Sequence, residues 1–173
     1  VLIVTPEEAA ENRKKKAPGR KTWIYHAGMV RDFAFASSRS FAWDAMPSSG
    51  EGFSTLCMSF YPSEAMPLWN LYAPHGTAQT IEIYSKHTVP YPWPVAISVN
   101  TSVGGMEYPM IHFTGARPEK DGTYSESKKH GMISVIIHEV GHNFGLEHHG
   151  RSPGEEYYAG HGPWVPIMGS GYG

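Results

Sequence analysis

Residues 138–150, HEVGHNFGLEHHG, decide how the rest of the chain is read. From 125 to 144, Ile133, Ile136, Ile137, Val140 and Phe144 recur at intervals of three and four, which predicts a helix with one apolar stripe. Gly145 stops it. His138 and His142 are four apart, hence neighbours on one face, away from the centre of that stripe. Two imidazoles one turn apart can hold one zinc ion, with Glu139 beside them pointing toward an open coordination position. Gly145 permits a sharp turn, after which His148 can swing back as a third ligand. His161 and His149 are the alternative third ligands, and Glu147, Glu155 or Glu156 could supply an oxygen instead. A chance match to H-E-x-x-H-x-x-G-x-x-H is on the order of one in ten thousand or rarer at ordinary residue frequencies.

Such a site predicts hydrolysis without a covalent intermediate. Zinc acidifies a water, and Glu139 takes the proton as the water attacks a peptide carbonyl, then returns it to the leaving amine. A second reading is a non-catalytic zinc-binding module, which would close the ion with four protein ligands, such as His138, His142, His148 and His161 together. A truncated fragment of a larger enzyme is a third.

Working outward, period-two alternation predicts strands near 30–37, over FSTLCMSFYP (53–62), over VAISVN (95–100), and over GGMEYPMIHFTGA (104–116), where Pro109 marks an edge or a bulge. A short helix ends at Pro74, and a second helical stripe runs through 77–87 until the YPWP segment forbids continuation. The expected fold is α+β: a mixed sheet packed on the helix 125–144, with a cleft between sheet edge and helix. Residues 1–21 read as a charged lead-in and 22–173 as the catalytic domain. An edge strand through Gly104, Gly105, Met106, Glu107 and Tyr108 would hold a peptide by strand addition.

Composition narrows the alternatives. The chain has 173 residues, 40% of them hydrophobic, enough for one domain with a core. Six of the fourteen basic residues lie between Arg13 and Lys21, and from residue 22 onward eight basic residues face thirteen acidic ones. That balance argues against a nucleic-acid partner on the main body. No apolar run approaches the roughly 18 residues needed to span a bilayer. Cys57 stands alone, so no internal disulfide forms, and oligomeric state leaves no mark on the pattern.

Two resemblances sharpen this reading. HEVGHNFGLEH resembles the metzincin metalloproteases of reprolysin type, which implies His138, His142 and His148 as zinc ligands and Glu139 as base. PWVPIMGSGYG places Met168 in a setting similar to the Met-turn, the hydrophobic floor beneath the metal. Residues 22–144, through VRDFAFASS, SFYPSEAMPLWN, YPWPVAISVN, GGMEYPMI and SVIIHEVGHNF, resemble the zinc aminopeptidases of the aminopeptidase-N family, which are gluzincins. That resemblance implies that Gly104, Gly105, Met106 and Glu107 line the substrate and that Glu107 binds its free α-amine; Tyr108 stands where the family has Asn. The glutamate that such gluzincins use as third ligand would fall at 161, where this chain has His161. Both resemblances imply a peptide or protein substrate and a secreted or periplasmic location.

Overall fold

In the computed structural model the described residues are 11, 19–20, 22, 24–102, 104–150, 154, 156–161 and 164–169. The expectation for the lead-in 1–21 falls almost wholly outside them. Five strands form one sheet: β1 (Phe41–Gly50), β2 (Phe53–Pro62), β3 (Val95–Asn100), β4 (Met106–Tyr108) and β5 (Ile111–Thr114), in the spatial order β1-β2-β3-β5-β4. Two long helices accompany it, α1 (Leu68–His87) and α2 (Glu126–Asn143). The expected α+β architecture, a mixed sheet packed on helices, is the one observed.

β1 and β2 pair antiparallel across a two-residue turn in which Gly52 takes a φ of +79°, a conformation that costs glycine little. β2 then pairs parallel with β3, the chain crossing through α1, and β3 pairs parallel with β5. β4 folds antiparallel onto β5 and ends the sheet.

Three local expectations need correction. The segment 30–37 forms no strand; among the described residues the first strand is β1, and it contains Pro47. Proline is tolerated there because β1 is an edge strand, whose missing N–H leaves no ladder bond unmade. Pro74 does not end a helix but lies inside α1, where packing overrides its local cost; Leu68, Trp69, Ala73 and Ile81 of that helix are all fully buried. The single strand expected over 104–116 is instead the β4–β5 hairpin, broken at Pro109 and Met110, with Met110 at a φ of +70°.

Ser125 caps α2, its Oγ accepting a hydrogen bond from the Lys128 amide at 3.1 Å, and the helix falls one residue short of the predicted bounds at each end. Its buried apolar face is Met132, Ile136 and Val140, four apart, and these meet Tyr61, Cys57 and the α1 residues in one core. The Trp69 indole donates to the Ala116 carbonyl at 2.6 Å, tying α1 to the chain leaving β5. Among the described residues no helix is long and apolar enough to cross a membrane. Truncating Ile136, which is 0% exposed, leaves a cavity between the two helices, so Ile136→Ala is expected to lower unfolding free energy by about 3 kcal/mol, read from urea denaturation.

Candidate metal centre

The end of α2 builds the site. Gly145, at a φ of +83°, lets the Gly145 amide donate to the His142 carbonyl at 2.9 Å and the Leu146 amide to the Gly141 carbonyl at 3.1 Å. This pair of bonds is a Schellman cap. It satisfies the last helical carbonyls and turns the chain back, so that His148 faces His138 and His142.

The three rings converge through Nε2. His142 Nε2 lies 3.2 Å from His138 Nε2 and 3.1 Å from His148 Nε2. Each Nδ1 is engaged elsewhere: His138 with the Ile167 carbonyl at 2.8 Å, His142 with the Leu146 carbonyl at 2.7 Å, and His148 with Glu156 Oε1 at 2.9 Å. Carbonyl and carboxylate oxygens only accept, so the ring hydrogens sit on Nδ1 and three Nε2 lone pairs face one another. Three mutually repelling acceptors need a cation between them. Tetrahedral zinc with Zn–N near 2.05 Å separates its nitrogens by about 3.3 Å, so this donor set fits zinc, with its orienting partners already in place. Burial, with the neighbouring His142 and His148, holds His138 below its ordinary pKa, in the neutral form a metal requires.

Glu139 is 4% exposed. Burial first, and the Glu107 carboxylate second, push its pKa up to about 7. Oxygens of Glu107 and Glu139 and a nitrogen of His142 all lie within 4.8 Å of one another, so Glu107 does face the site. Met106 does not: its side chain shares the opposite sheet face with Phe113, to which it is paired, and is exposed. The two glycines have structural reasons of their own. A Cβ on Gly104 would stand 2.5 Å from the Gly115 amide nitrogen, and Gly105 has a φ of +76°. Met168 is buried beneath α2, where a Cβ on Gly141 would stand 2.6 Å from its sulfur. Its carbonyl accepts from the His149 amide at 2.7 Å.

His161 stays out of the cluster, its Nδ1 being 2.5 Å from the Tyr158 hydroxyl. Glu156, weighed in the sequence as an oxygen ligand, instead holds the back of His148. Tyr157, whose ring centroid is 4.1 Å from that of His148, carries no spacing signal that sequence reading could use. The same holds for the carbonyls of Leu146 and Ile167.

Residues 79–149 match the model of metallo-peptidase family M12B, reprolysin-like. The match spans all three converging histidines and Glu139. The chain is a metallopeptidase. It is a hydrolase of peptide bonds; the stretch that is similar to the reprolysin-like family carries a cluster of three histidines, and that family implies a zinc cofactor. No curated protein matches the chain. The aminopeptidase-N resemblance gains no support, since its stretch from 79 to 144 lies inside the reprolysin-like match.

Two outcomes follow for this metallopeptidase. Glu156→Gln removes the charge behind His148 and is expected to weaken zinc binding by about 10- to 100-fold in a competitive chelator titration. Glu139 has a folded pKa of about 7 against an ordinary 4.5, so the folded state binds its proton more tightly. The ionised group therefore destabilises the metal-free fold increasingly as pH rises from 4.5 to 7. Metal-free Glu139→Gln should be more stable than wild type at pH 8, by up to about 3 kcal/mol, and equal to it at pH 4; denaturation at the two pH values reads this directly.

Proposed function

We propose that the metallopeptidase hydrolyses peptide bonds at a single zinc held by His138, His142 and His148, with Glu139 as general base. The observation that carries this is the convergence of three Nε2 atoms whose rings are already oriented from behind. Zinc bound there supplies Lewis acidity to the scissile carbonyl and to water. Glu139 takes the proton of the attacking water and hands it to the leaving amine. A carboxyl beside the reacting atoms can make both transfers. With His161 turned to Tyr158, three protein ligands leave a coordination position for the reaction, which favours a catalytic over a structural site. Met168 packs under the helix and holds the floor of the site, and the free edge of β4 receives the peptide main chain.

A second reading concerns where the cut falls. Glu107 joins Glu139 and His142 in one cluster, and a carboxylate so placed can pair with the α-ammonium of a substrate. On that reading the enzyme trims amino termini. The test compares a peptide with a free amino terminus and its acetylated form. Preference for the free form that disappears in Glu107→Gln supports trimming; equal cleavage of both identifies an endopeptidase. For the hydrolytic step itself, Glu139→Gln should retain one zinc per chain by elemental analysis and lose at least about 100-fold in kcat/KM. Full activity in that variant would sink the assignment of the base.

A further inference from the structure

One residue from every strand falls into a single row across the sheet. Asp44 on β1 pairs with Ser59 on β2, Ser59 with Ser98 on β3, Ser98 with His112 on β5, and His112 with Glu107 on β4. Laterally paired residues share a sheet face. Glu107 reaches Glu139 and His142 of α2, so the whole row lies on the helix-covered face, where apolar side chains are the rule. Ser59 and Ser98 are 0% exposed and His112 is 2% exposed.

Ser59 Oγ, Ser98 Oγ and His112 Nε2 are sealed from solvent and have no hydrogen-bond partner within the protein; Thr114 Oγ1, one position further along the same face, is another. Buried polar groups in native folds are almost always paired, yet here successive members of one row lack a protein partner. Adjacent strands are about 4.8 Å apart, a gap that a water molecule with two hydrogen bonds of about 2.8 Å closes. A site with several converging polar groups is the kind that keeps water inside a protein.

We propose that Ser59, Ser98 and His112 hold ordered water beneath the active-site helix, and that through this water the His112 imidazole positions the Glu107 carboxylate at the cleft. The second half rests on the reading of Glu107 as a cleft residue. Burial holds the imidazole pKa down at about 3, so the ring is neutral and offers one donor and one acceptor. Glu107 only accepts, so the water between them donates to its carboxylate while the ring engages the same water through Nε2. At the far end the fully buried Tyr61 hydroxyl donates to Asp44, so the row is bounded by a carboxylate at each edge.

The test uses the zinc-loaded full chain. A crystal structure at a resolution that shows ordered solvent should place water within hydrogen-bond distance of at least two of Ser59 Oγ, Ser98 Oγ and His112 Nε2. The ring nitrogens of His112, followed by 15N NMR, should show one tautomer and shift in both Glu107→Gln and Ser98→Ala. Ser98→Ala changes little in shape and should raise KM several-fold with kcat held, the pattern of a lost binding arrangement. A dry row, ring shifts indifferent to both substitutions, or a KM unmoved after loss of the water would each overturn the proposal. Solvent and ring shifts are read without turnover, so an inactive protein with the water in place would refute the peptidase assignment and leave the water site standing.

Discussion

Three converging imidazole nitrogens, with those of His138 and His148 held 3.2 and 3.1 Å from that of His142, are an electrostatic debt that the remainder of the fold is arranged to sustain. Left alone, such rings would turn apart, each seeking water or a donor. They are kept in place from behind, by two main-chain carbonyls and one carboxylate. Those anchors come from three places: the turn that caps α2, the segment around Glu156, and the turn at Ile167. The helix contributes two rings, but their orientation is decided by chain that arrives later.

This division explains what the sequence disclosed. The motif from His138 to His148 was legible because helical periodicity and one glycine fix the relation of its residues locally. The helix itself was read to within a residue at either end for the same reason. β1 escapes sequence reading because Pro47, Ser48, Ser49 and Gly50 have the composition of a turn, whereas the edge position that admits a proline is a property of the assembled sheet. Pro74 misled for a related reason: the burial of Trp69 and Ile81 stabilises a helix that its local sequence discourages. Glu107 could be singled out by its neighbours in sequence, whereas its approach to Glu139 depends on a hairpin whose turn, at Met110, is secured by the Asn143 side chain at 2.7 Å. No pattern in the sequence announces that bond.

The same bond unites the two halves of the cleft. Asn143 sits one residue past His142 and grips the hairpin that presents β4, while its own amide donates to the Glu139 carbonyl. The spacing between sheet edge and helix is therefore set at the level of the metal ligands. Above them, Gly104 packs against Gly115 so closely that a side chain would part them. The edge strand is thus located by contacts at both of its ends.

The nature of the three anchors has an evolutionary consequence. Two of them are main-chain carbonyls, which every amino acid possesses, so no substitution of a side chain can delete the groups that orient His138 and His142. The third is the side chain of Glu156, and it alone is encoded by a codon that selection can exchange. Drift among descendants of this sequence would therefore leave two rings fixed in attitude and act on the third, making the affinity for the ion a quantity that a single position outside the motif can adjust.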